Sequence, residues 1–228
     1  MAGIDDAYAR NMHKQRDYFV AWEPTSIYQL GDFGEMDGKV FKKLGTLKDL
    51  KIPIKVRTEK TGDMDYQSEG VFITHADVGV QGAGAMKKAE GNLEVKFTQS
   101  NGILFKASDI TTEYIDNIYD VGDRLVKLYK DKGHDWRLSN VVITELKKAD
   151  YLLVLISRES GGSVKLSGKV PIKADGVKVA DLNIRDLSVS TSSSKVDKYT
   201  AKGGSTPLFQ LHEVKDPITK SAFFTEYK

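Results

Sequence analysis

Two long stretches of the chain, Glu69–Ala107 and Tyr151–Ala201, alternate apolar and polar residues and are repeatedly broken by glycine. One amphipathic segment holds them apart. Period-two alternation with glycine punctuation predicts strands and turns, each stretch being long enough for two or more strands. Both carry many small residues and few large aromatics. Glycine adds entropic cost and no contact area to a strand, so such segments make weak sheet interiors. They suit strands that pack closely under another element, rearrange, or enter a different medium.

Within the first stretch Val71 and Ile73 share a face, as do Val78 and Val80 further on, and Leu93, Val95 and Phe97 alternate with Glu94 and Lys96. Ser100-Asn101-Gly102 reads as a turn before a strand over Ile103–Ala107. In the second stretch Leu153 and Leu155 belong to a nearly continuous apolar run, which predicts burial on both faces. Val164 and Leu166, then Val177 and Val179, then Leu182 and Ile184 alternate, and Ser188–Ser194 reads as a polar loop tip.

The separating segment, Thr112–Lys132, places Ile115, Ile118, Gly122, Leu125 and Tyr129 on one stripe. Its acids come early and its bases late, matching the helix dipole, and Gly133 follows as a stop. A short helix is predicted over Asp5–Asp17 with Arg10, Lys14 and Arg16 close together. A compact strand follows at Tyr18–Trp22, then a loop over Thr25–Gly38 that carries Tyr28 and Phe33. Lys39–Lys60 is basic and reads as strand, short turn and strand, the last through Ile52, Ile54 and Val56. Thr61–Ser68 reads as a polar connection. Val141–Leu146 and Leu152–Ile156 predict two strands joined through Lys147–Asp150. Lys195–Tyr199 and Pro207–Val214 predict a hairpin-like pair about Gly203-Gly204. Residues Lys215–Lys228 form a tail that docks or dangles.

Charge and motif content narrow the function. The 34 basic and 32 acidic residues nearly cancel, and no basic stripe is interleaved with aromatics, so nucleic acid is not expected as a partner. Without cysteine the chain makes no disulfide, thiolate nucleophile or Cys-based zinc site. The four histidines never fall at metal-ligand spacing, and the Asp63–Thr74 stretch lacks the glycine and terminal Glu of a calcium loop. No metal, cofactor or catalytic residue is expected, because phosphate-loop and nucleophile-elbow patterns are absent. No apolar run reaches the ~18 residues that a membrane helix needs, and the N-terminus has no signal-peptide core.

The order of segments resembles the N-terminal pore-forming domain of the gasdermins. A basic helix precedes YFVAW, a loop, a strand and the Thr46–Leu50 turn (TLKDL). A small-residue hairpin region, an amphipathic helix, Asn140–Leu146 (NVVITEL) and a second hairpin region follow. Lys198–Val214 (KYTAKGGSTPLFQLHEV) closes the match. Mammalian gasdermins add a large inhibitory domain, for which 228 residues leave no room, and bacterial ones are acylated on a cysteine that is absent here. The likeness therefore runs to the short fungal gasdermin-like regulators of cell death. It implies an α+β fold, a twisted antiparallel sheet with flanking helices, with residues 1–214 as the pore-forming domain and 215–228 as a tail.

What the resemblance implies is a non-enzymatic, cytoplasmic protein that moves to the plasma membrane or another anionic membrane. There it would bind acidic phospholipid, assemble as a homo-oligomer or with a related variant, and insert hairpins into a barrel. Arg10, Lys14, Arg16, Lys42, Lys43, Lys51 and Lys55 are the expected lipid contacts, with Trp22, Tyr28 and Phe33 as anchors. Val71, Ile73, Val78, Val80, Leu93, Val95, Phe97, Leu153, Leu155, Val164, Leu166, Val177 and Val179 are the expected inserting positions. A variant partner is favoured over the tail as the means of control. The other reading of the same residues is a soluble β-rich interaction module.

Overall fold

A computed structural model describes residues 4–21, 23–75, 89–131, 136–170, 177–217 and 221–228. The chain is α+β, with two α-helices and largely antiparallel strands among the described residues, and it divides into two compact units. Unit 1 comprises Met1–Thr61, Thr111–Lys148 and Thr206–Lys228; unit 2 comprises Gly62–Ile110 and Ala149–Ser205. Four long strands supply residues to both: β4 (Val56–Gln67), β7 (Ile103–Ile115), β8 (Asn140–Ser157) and β11 (Val196–Lys215).

Unit 1 adds helix α1 (Ile4–Arg16), β1 (Phe19–Val20), β2 (Asp32–Asp37), β3 (Val40–Thr46), helix α2 (Ile118–Lys130) and β12 (Phe223–Glu226). Its sheet runs β1-β11-β8-β2-β3, with β12 on β11 and β4 on β7. Two apolar clusters hold it. Phe33, Leu47, Ile52, Ile115, Val121, Leu125, Trp136, Val142 and Val214 form one. Phe19, Phe41, Val141, Ile143, Leu146, Phe209 and Leu211 form the other. Unit 2 contains β5 (Val71–His75), β6 (Ala89–Phe97), β9 (Gly162–Val170) and β10 (Leu187–Ser192), ordered β10-β9-β6-β5. Its core joins Val71, Ile73, Leu93, Val95 and Phe97 to Leu153, Leu155, Val164 and Leu166.

Several expectations need correction. The loop over Thr25–Gly38 contains β2, which pairs with both β3 and β8. Asp32, fully buried, accepts a hydrogen bond from the Gln29 N–H (2.9 Å) and an ion pair from Lys43 (2.8 Å), so the strand starts on a satisfied charge. The strand expected through Ile52 and Ile54 begins only at Val56, and the polar connection Thr61–Ser68 lies largely inside it. Its first eight residues are exposed, so β4 has no apolar alternation to read. Helix α2 starts at Ile118, not Thr112, because β-branched Thr111, Thr112 and Ile115 continue β7.

Leu146 and Leu152 lie on one unbroken strand. The charges expected to interrupt it have partners: Lys147 reaches Thr112 Oγ1 (3.1 Å) and Glu145 (3.5 Å), and Lys148 reaches Glu113 (2.6 Å). Likewise Gly203 and Gly204 take positive φ inside β11 without reversing the chain, so no hairpin forms there. Val177 and Val179 are buried, but the first lies in irregular chain and the second in a 3-10 turn, not on a hairpin strand. Ser188–Ser192 belongs to β10, paired with β9 through a bulge, and is no loop tip.

Candidate functional site

Helix α1 turns Tyr8, Ala9 and Met12 inward, each no more than 5% exposed, and leaves Arg10, Lys14 and Arg16 on its exposed surface. The spacing of Arg10 and Lys14, one turn apart, puts both guanidinium and ammonium on one side. The other expected lipid contacts lie on β3 and beyond it. Lys42 is exposed and pairs with Asp37 at 2.6 Å, whereas Lys43 is engaged by Asp32. Lys51 and Lys55 are exposed, and the Lys55 N–H donates to Asn117 Oδ1 (2.6 Å), fixing the start of α2 against this basic segment.

Of the expected anchors, Phe33 is buried and Tyr28 half-buried in this fold. The Tyr28 ring meets Phe41 and Phe209 edge-on at 5.5 and 5.4 Å, and its N–H donates to Thr206 Oγ1 (2.6 Å). Phe33 packs on Trp136 at 5.5 Å. Trp22 falls outside the described residues. Ile27 (71%), Leu44 (61%) and Val56 (52%) are exposed apolar residues in this part of the chain, and of these sequence reasoning missed Leu44. Strand parity carried a signal for Leu44: it sits three residues after buried Phe41, hence on the opposite face.

The described positions expected to insert lie on the apolar face of unit 2. Val71, Ile73, Leu93, Val95, Phe97, Leu153, Leu155, Val164 and Leu166 are all buried, while Thr74, Lys96 and Lys165 beside them are not. β6 and β9 pair from Ala89↔Val170 to Phe97↔Gly162 in uninterrupted antiparallel register. Val78 and Val80 lie outside the described residues. On β7, Lys106 is 3% exposed and reaches Asp63 of β4 at 3.3 Å.

Burial disfavours the charged form of two histidines in unit 1. His212 bonds Thr144 Oγ1 (2.8 Å) and stacks on Phe224 at 5.1 Å; burial lowers its pKa, against a smaller raising influence from Glu226. His13, stacked on Phe19, is also lowered, by burial and then by Lys39. A histidine depressed in the folded state binds fewer protons than when unfolded. Folding stability is therefore full above the ordinary value near 6.5 and falls as pH drops below it, levelling under the folded pKa. Melting temperature should fall from pH 7 to pH 5, and His212→Asn should flatten that slope; an unchanged slope removes His212 from the account.

No family model matches the chain, and no curated protein does. Among solved structures it is similar to a bacterial gasdermin from Bradyrhizobium tropiciagri, at 11% identity over 95% of this chain and 88% of that one, with a TM-score of 0.42. It is also similar to the Gasdermin A3 membrane pore, at 9% identity over 100% of this chain and 95% of that one, with a TM-score of 0.37.

Proposed function

We propose that this chain is a pore-forming cell-death protein of the type of the short fungal gasdermin-like regulators. It binds an acidic phospholipid membrane, oligomerises with itself or a related variant, and inserts two hairpins per subunit. One observation carries the reading. Each of two long strand pairs, β4 with β7 and β8 with β11, encloses a shorter two-strand excursion, β5–β6 and β9–β10; β5, β6 and β9 alternate a buried apolar face with a polar one, and β10 buries Leu187.

A membrane strand needs ~9–11 residues with one apolar side, and closing hairpins into a barrel satisfies the backbone. β6 and β9, nine residues each, meet that length. Insertion exchanges the β6–β9 pairing for a straightened hairpin, turning the core-facing valines and leucines toward lipid. Among the described residues no helix is long and apolar enough to cross. The segment-by-segment sequence resemblance supports the same class. In this reading the protein moves from the cytoplasm to an anionic membrane.

Dye release from anionic vesicles is the test, with zwitterionic vesicles as control and with variant partners added. Leakage from anionic vesicles alone is expected. No leakage under any of these conditions sinks the pore reading and leaves a β-rich interaction module. Electrostatic capture should precede insertion, since each near-surface base adds ~1 kcal/mol. Reversing Arg10, Lys14 and Arg16 together to Glu should reduce vesicle sedimentation about tenfold or more at low salt. Unchanged sedimentation moves the lipid site off α1.

A further inference from the structure

Unit 1 holds a cleft of about 610 Å³ between the approach to β2 and the segment joining β3 to β4. That volume lies within the ~300–1,000 Å³ of small-molecule sites. Leu47 and Ile52, at 1% and 5% exposure, form its buried side, and half-buried Leu30 and Ile54 line the rest. Among the described residues, Lys48 and Lys51 are the charged ones lining it, and neither makes an ion pair with another described residue. The neighbouring acid, Asp49, folds its carboxylate back on Thr46, accepting from its N–H (2.8 Å) and hydroxyl (2.9 Å).

The backbone at the mouth is built around one of these lysines. The turn after Leu47 closes through Lys51 N–H to Lys48 O (3.0 Å) and Ile52 N–H to Leu47 O (2.9 Å). Lys51 itself takes φ +57°, a left-handed position where glycine is at ease and other residues lose ~1 kcal/mol or more. The sequence keeps a lysine there, and with it a cation beside an apolar floor. Gly31, at φ +83°, keeps the facing wall close: a methyl group on it would touch Ile54 Cδ1 at 3.4 Å.

We infer that this cleft binds a single-chain anionic amphiphile, a long-chain carboxylate, with its chain along Leu30, Leu47, Ile52 and Ile54 and its head on Lys48 and Lys51. The apolar lining takes up the chain by burial, and the two uncommitted ammonium groups select a negative head. A planar bilayer cannot fill a concave cleft, so the ligand is a lone chain in solution. The inference stands on the cleft and holds whether or not the chain forms pores.

Titrating the intact chain with a fluorescent palmitate analogue, below its micelle concentration and without membranes, tests it. Saturable binding is expected, displaced by palmitate and much less by its uncharged glycerol monoester. Lys48→Glu with Lys51→Glu should weaken it about tenfold or more, and Ile54→Trp, which fills the cleft, should abolish it. Circular dichroism and melting confirm that both variants fold. Absence of saturable binding overturns the inference, as does binding that both variants retain, equal binding of the monoester, or binding seen only with vesicles.

Discussion

Removing residues 216–228 should lower the stability of the chain by about 4 kcal/mol and reverse the sign of the effect of a substitution, Gly122→Ala. The segment is not a loose tail. β12 pairs with β11 from His212↔Glu226 to Lys215↔Phe223, and the Tyr227 N–H donates to Leu211 O at 2.9 Å. Tyr227 packs on Phe19 at 5.6 Å, and Phe224 and Ala222 join the α2 core cluster. Burying side chains of this kind contributes ~1.5–3 kcal/mol each when complete, and these are partly buried.

Gly122 explains the coupling. A methyl group there would lie 2.8 Å from Phe224 Cβ and Cδ1. Alanine inside a helix ordinarily stabilises by ~0.5–1 kcal/mol over glycine. In the intact chain Gly122→Ala should instead destabilise, because Phe224 must move and its Cβ lies too near the backbone to do so freely. In the shortened chain the same change should stabilise. Urea midpoints of the four proteins form a double-mutant cycle; additive effects would mean that the packing of Phe224 on α2 carries no energy. The shortened chain also addresses control. With a variant partner as the proposed means of control, the shortened chain is expected not to release dye by itself. Leakage from the shortened chain, with none from the intact one, would make the segment the latch and displace a variant partner from that role.

Gly34→Ala should cost about 3 kcal/mol or more, the upper end of overpacking effects. The register of β2 and β3 shifts between Phe33 and Gly34, where the chains come too close for a side chain. A Cβ on residue 34 would sit 1.9 Å from the Lys42 carbonyl oxygen and 2.7 Å from its carbon. Both are backbone atoms, so relief requires the two strands to separate, and Gly34 also pairs with Val141 of β8. A urea midpoint like that of the parent chain would show that the strands separate at little cost. Like Gly122, this glycine answers to close approach, not to a positive φ.

The sequence by itself determined what local periodicity can determine. Alternation at Val71–Ile73, Leu93–Phe97 and Val164–Leu166 marked the buried face of unit 2, because a strand sends every second side chain to the same side. The basic face of α1 and the dipole-matched charges of α2 were equally legible, since both follow from helical spacing. Tertiary structure decided what depends on partners distant in sequence. Lys147 and Lys148 sit inside β8 because Thr112, Glu145 and Glu113 receive their ammonium groups. β4 exists because β7 pairs with it, although its first residues are exposed and carry no pattern. Phe33 is buried and Tyr28 half-buried because Trp136, Phe41 and Phe209 pack against them. The cleft beside Lys51 needed the left-handed turn that sets that lysine against Leu47 and Ile52. A pattern of residue types reports which side of an element is apolar; only the packed neighbours report whether a charge is paired or a surface is covered.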